Sequence, residues 1–238
     1  MDNYKISRKL KKIRRENSEF EKAVPYNFCD RWCKRCPSEK LTRCHLYRDE
    51  FEQRITCIAH GKEENDLEIT EEFLKYQFQS FQGPIEEYLD EDESFDDIDD
   101  EYDEIKEVYE PVQDDLLLKT AEQYRLKTHD FLKDTFLESR NIGFELADDF
   151  EAIAWYHTLL SIKLYRALCG LNEPESPDEF GLYDAVAQLA ICKKAIDESI
   201  KALRKIKQIY LDYRNLITEL LALLNNISSR IIHIEESV

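Results

Sequence analysis

Four cysteines lie close together as Cys29-x3-Cys33-x2-Cys36-x7-Cys44, with His45 beside the last and Cys57-x2-His60 further on. Four thiolates satisfy either tetrahedral zinc or a [4Fe–4S] cluster. Arg31, Lys34, Arg35 and Arg43 would offset their negative charge. On a helix, offsets of four and seven would bring Cys29, Cys33 and Cys36 to one face; on a loop, the short spacings would let the chain wrap one ion. The two separated Cys-x2-Cys knuckles of a zinc ribbon are absent. Pro37 follows Cys36, as proline follows a ligand cysteine in cluster-binding ferredoxins. Tyr26, Phe28 and Trp32 could shield a cluster from water. Zinc and iron–sulfur both stay open, with Cys29, Cys33, Cys36 and Cys44 as ligands and His45, Cys57 and His60 in reserve.

Other chemistries fare worse. Cys-x3-Cys-x2-Cys is also the spacing of radical S-adenosylmethionine enzymes, but there an aromatic residue usually precedes the third cysteine, and here it is Arg35. That family also needs a partial α/β barrel with glycine-rich loops, and this chain holds 5 glycines in 238 residues. No Glu-x-x-His precedes any of the 5 histidines, which excludes the standard di-iron bundle site. Asp90, Asp92, Ser94 and Glu101 fit an EF-hand at positions 1, 3, 5 and 12, yet Phe95 stands where the turn needs glycine. No P-loop, nucleophile elbow or zinc-protease helix is present.

The elements that must position the cysteines read as helices. Residues 1–24 form a basic arm with Ile6, Leu10 and Ile13 at helical spacing. Residues 25–61 hold the cysteines, with one helix expected from an N-cap at Ser38 to a stop at Gly61. Residues 62–113 contain a helix near 70–82 and an acidic band, expected to be partly disordered. From Glu86 to Asp115 there are 17 acidic residues and one lysine, so this band carries −16 of the net −18. The near-neutral remainder argues against a nucleic-acid binder.

Residues 114–238 are the bundle domain. Apolar stripes run through Leu117, Ala121, Tyr124, Phe131 and Phe136, and through Leu146, Phe150, Ile153, Leu160, Leu164 and Leu168. A break is expected at Asn141-Ile142-Gly143, and a loop over Cys169–Gly181, where glycines and prolines cluster. Heptads then run from Leu189 to Ile231 and from Cys192 to Ile234, through Tyr210 and Tyr213. They predict one long helix, or two antiparallel helices folded near Asp212, buried within the chain or in a homodimer. The expected fold class is all-α: a long antiparallel bundle of three to four helices with a small cysteine-rich module. Within it, His157, Glu122 and His129 could form a polar site, with hydrogen-bonded core histidines as the plainer reading.

The stretches "YNFCDRWCKRC", "WYHTLLSIKLYRAL" and "AICKKAIDESI" together resemble an uncharacterised bacterial family that pairs a Cys-Asp-Arg-Trp-Cys-x-Arg-Cys cluster with a helical C-terminal body. The resemblance spans the cysteine region and residues 145–205. It implies an architecture and no activity, and it marks the acidic band as an insertion. It also draws attention to Trp155, Lys163, Arg166, Asp197 and Ser199, with Arg166 or Lys163 expected to pair with Asp197 or Glu198.

The expected protein is cytoplasmic: it shows no signal peptide, no membrane span, and an odd number of cysteines. It would be a non-catalytic zinc or iron–sulfur protein acting on a protein partner, its metal structural or redox-sensing. The alternatives are an iron–sulfur electron-transfer component and a metal-free helical adaptor.

Overall fold

A computed structural model describes residues 3–63, 112–137, 144–172 and 180–237. The helix expected near 70–82, the acidic band up to residue 111 with its calcium-like spacing, and the break at Asn141–Gly143 lie outside these residues. Among the described residues all regular structure is helical. The α-helices are α1 (Asn3–Ala23), α2 (Ser38–Leu41), α3 (His45–Ala59), α4 (Leu116–Leu132), α5 (Ala147–Asn172), α6 (Phe180–Ile209) and α7 (Arg214–Ser237).

The chain divides into two units. The first comprises Met1–Glu21, Phe28–Asp30 and Lys106–Val238; the second comprises Lys22–Asn27 and Arg31–Ile105. The first therefore takes in most of the basic arm and three residues of the expected cysteine module.

In the first unit α4, α5, α6 and α7 form an all-α four-helix bundle. Each packs on the next, and α4 closes the ring against α7. Ion pairs give the directions. Arg166 meets Asp184 while Lys205 meets Asp149, so α5 and α6 run antiparallel. Lys193 meets Glu235 across α6 and α7, which places the fold-back near Asp212 and decides for two helices over one. Both heptad series face inward. Leu189, Ile196, Leu203, Ile217, Leu224 and Ile231 are at most 1% exposed, and burying each such side chain is worth about 1.5–3 kcal/mol. The seam that could have served a homodimer is thus filled within one chain.

Tyr210 and Tyr213 flank the turn between α6 and α7, at heptad positions without glycine or proline. They pack edge-on against Phe150 and Phe131, with ring centroids 5.5 and 5.3 Å apart. At its start, α4 is capped by Asp115, whose carboxylate accepts the Leu117 amide at 2.6 Å. Its last turn widens into a π-helix over Lys133–Leu137. α1 buries Ile13 at 1% exposure. It is tied to the bundle by the Asn17 amide, which donates to the Tyr183 carbonyl, and by Arg14, which donates to Glu235.

The loop expected over Cys169–Gly181 is shorter than its composition implied. Gly170 lies in α5 and Gly181 in α6. A Cβ on Gly170 would sit 2.5 Å from the Gly181 carbonyl oxygen. This glycine serves the close approach of two helices rather than a turn.

In the second unit the single helix expected from Ser38 is broken. α2 ends at Leu41, and α3 starts afresh at His45. The sulfur of Cys44 caps α3, accepting the Tyr47 amide at 3.4 Å. At the other end Gly61 adopts φ 68°, Lys62 N donates to Cys57 O and Gly61 N to Ile58 O. That pattern is a Schellman cap, and it supplies the expected stop.

Candidate metal centre

The cysteines separate by burial. Cys29, Cys33, Cys36 and Cys44 are partly exposed; Cys57, Cys169 and Cys192 are buried, and none of the seven is disulfide-bonded. Short local structure carries the exposed set. Cys33 opens a three-residue 3-10 turn, Cys33–Arg35, whose end is closed by the Cys36 amide donating to the Cys33 carbonyl. The Cys33 thiol lies 3.7 Å from the Arg31 carbonyl. Arg31 itself sits at φ 54°, a left-handed turn that costs a side-chain-bearing residue about 1–2 kcal/mol. Trp32 is 5% exposed, and the Arg35 guanidinium stacks 3.8 Å above its ring. Among the described residues, no group of three or more His, Cys, Asp or Glu is gathered closely enough to hold a metal ion.

The reserve ligands stand apart in kind. Cys57 is completely buried, so no incoming ion reaches it without α3 moving. His45 Nδ1 is engaged by the Arg48 guanidinium. His60 is exposed at the C-terminal end of α3.

In the first unit, Asp30 does what the spacing did not foretell. Its side chain is 9% exposed and accepts from the Tyr156 hydroxyl and the Lys194 ammonium, both at 2.6 Å. Its backbone carbonyl accepts the Trp155 indole N–H at 2.8 Å. Tyr156 and Trp155 come from α5, and Lys194 comes from α6. The three stretches quoted above thus meet at one carboxylate. Trp155 was legible as a residue of interest; Asp30, Tyr156 and Lys194 were not. The available signal was an acidic residue inside a cysteine cluster, between Cys29 and Arg31.

The polar bundle residues are only partly brought together. His129 and His157 stack with centroids 6.1 Å apart. Glu122 pairs instead with Arg125 at 2.7 Å on its own helix. His157 Nδ1 lies 2.8 Å from the Ala154 carbonyl and 3.2 Å from that of Ile153, donor geometry that leaves Nε2 as the acceptor nitrogen. Burial, followed by the charges of His129 and Arg125, pulls its pKa below the ordinary value of 6.5. This is the plainer of the two expectations, a hydrogen-bonded core histidine. Arg166 does not reach Asp197 or Glu198. Its Nε and Nη2 grip Asp184 at 2.7 and 2.8 Å. Asp197 lies 13 residues further along α6, about 20 Å away at 1.5 Å per residue. Glu198 pairs with Lys201. Lys163 is buried, and its charge acts on Cys192, whose thiol burial pushes up to about 12. That thiol is inert packing.

Tyr124, Thr128 and Ser199 place three buried hydroxyls between α4 and α6 without a well-aligned hydrogen bond. Burial pushes the Tyr124 phenol up to about 12.

No family model matches this chain, and no curated protein or solved structure matches it either. Among the described residues no helix is long and apolar enough to cross a membrane.

Proposed function

We propose that this chain is a non-catalytic metal protein in which Cys29, Cys33, Cys36 and Cys44 bind zinc or a [4Fe–4S] cluster. The observation that carries the reading is the division of the cysteines: the four that are close in sequence are the four that solvent reaches, while the other three are packed away. Exposed thiols at this density oxidise unless something occupies them. Turns and a four-residue helix carry the segment, so it can rearrange around an ion at small cost. Among the described residues of the bundle, His157 is hydrogen-bonded to backbone carbonyls and Cys169 and Cys192 are buried. The metal is structural or redox-sensing, and the protein acts through contact with another protein in the cytoplasm.

The test is anaerobic purification followed by metal and sulfide analysis and an absorption spectrum. One zinc per chain in a colourless protein, lost in Cys33→Ser and Cys44→Ser, supports the zinc form. Iron and sulfide with a brown colour support the cluster and an electron-transfer role. A chain that binds neither metal after reconstitution, and folds unchanged when Cys29 and Cys33 are both serine, is a metal-free adaptor, and the reading fails.

A further inference from the structure

We infer that the exposed face of α3 is a self-association surface, on which two copies of the chain pair antiparallel along Tyr47, Phe51, Ile55 and Ile58. The inference does not depend on the thiolate-metal reading above.

α3 is a 15-residue helix that buries Cys57 alone. Phe51, Ile55 and Ile58 are 49%, 49% and 57% exposed. At 3.6 residues per turn, these three and Tyr47 fall in one narrow stripe, about a third of a turn away from Cys57. Tyr47 and Phe51 stack along it with ring centroids 6.2 Å apart. Single exposed apolar residues are ordinary on a protein surface. Four at helical spacing make a continuous apolar strip of the kind that marks an interface. The strip is separate from the heptad seam of α6 and α7, which is filled within one chain.

The borders of the strip select its occupant. Arg48 and Glu52 line one side, Glu50 and Arg54 line the other, and all four are exposed. Each border therefore carries one charge of each sign. In an antiparallel pair with Phe51 on the two-fold axis, each border lies against the same border of the other copy, running the opposite way. Arg48 then meets the partner's Glu52, and Glu50 meets the partner's Arg54. Tyr47 meets the partner's Ile55. Two-fold symmetry repeats every contact. A second copy thus supplies both the apolar cover and the opposite charges on each side. Four side chains from each copy bury less than the ~800 Å² per partner of a standard interface. Pairing is therefore weak and set by concentration.

The experiment is sedimentation velocity on the full chain from about 1 µM to about 300 µM. A reductant keeps the partly exposed cysteines from cross-linking the copies. Circular dichroism of the same samples shows whether each variant is folded. The variants are Phe51→Glu, Glu50→Arg, Arg54→Glu, and an equal mixture of the last two. Glu50→Arg makes its border wholly positive, and Arg54→Glu makes the same border wholly negative. Expected is a wild-type chain that passes from monomer to dimer across the range. Phe51→Glu, Glu50→Arg and Arg54→Glu should each weaken association about tenfold or more. The mixture should regain the wild-type dimer, because a positive border then meets a negative one. A wild-type chain that stays monomeric throughout overturns the inference. So does a folded Phe51→Glu that associates like wild type, or a mixture that associates no better than its two components. Should Phe51→Glu unfold, the mixture decides alone, since its members change only exposed charges.

Discussion

Gly170→Ala tests the packing on which the contacts of Asp30 depend, because α5 and α6 carry Tyr156 and Lys194. Alanine adds one methyl group, 2.5 Å from the Gly181 carbonyl oxygen and 3.2 Å from its carbonyl carbon. Ordinary contact begins near 3.4 Å, so the helices must part by roughly 0.9 Å at this point. The obstacle is backbone in the first turn of α6, which no rotamer change can relieve. Overpacking of this kind costs about 1–3 kcal/mol, and the rigid obstacle argues for the upper half. Against it, alanine is better than glycine inside a helix by about 1 kcal/mol. The net expectation is a loss of about 1–2 kcal/mol, or a melting temperature lower by about 2–8 °C for a chain of this size. Circular dichroism at 222 nm during thermal unfolding reads it. Gly61→Ala is the control, since its Cβ meets nothing within 4 Å and pays only the strain of φ 68°. A Gly170→Ala protein that melts at or above the wild-type temperature refutes the close-approach argument.

Three further outcomes are expected. His157 has a folded-state pKa lowered by burial and then by His129 and Arg125, so the unfolded chain takes up its proton first. Its contribution is therefore complete above pH 6.5 and is lost as the pH falls from there through the lowered folded value; urea unfolding across that range should show the decline, and His157→Gln should remove its share. Glu235, 9% exposed, is held by Arg14 at 2.9 Å and Lys193 at 2.8 Å, both of them part-exposed. Glu235→Gln should cost about 1–2 kcal/mol in chemical denaturation, because the freed cations regain water and no buried charge is stranded; no change would mean that the network is slack. Tyr124→Phe should stay within about 1 kcal/mol of wild type, and on the stable side, because the lost hydroxyl had no aligned partner in the core. A loss above about 2 kcal/mol would show that Tyr124, Thr128 and Ser199 are bonded after all.

The helical class and the inward face of the last two helices were written in the sequence. Period-seven spacing of Leu189, Ile196, Leu203, Ile217, Leu224 and Ile231 is a local property, and water sorts those side chains to the inside whatever they pack against. Gly61 as a helix stop is likewise local, since a left-handed residue closes the cap. The partners of buried charges were not legible. Arg166 takes Asp184 rather than Asp197 because the antiparallel register of α5 and α6 sets which turns lie opposite each other; in the same register Gly170 comes close to Gly181, an approach that composition disguised as a loop. The fold-back at Tyr210–Tyr213 had no glycine or proline to announce it, because its place is decided by aromatic packing on Phe131 and Phe150. Cysteine spacing marked four thiols as a set, since proximity along the chain bounds how far apart they can be. Only the tertiary structure revealed the partners of Asp30, because Tyr156 and Lys194 reach it over sequence separations across which no pattern persists, through side chains that meet only once two helices have packed.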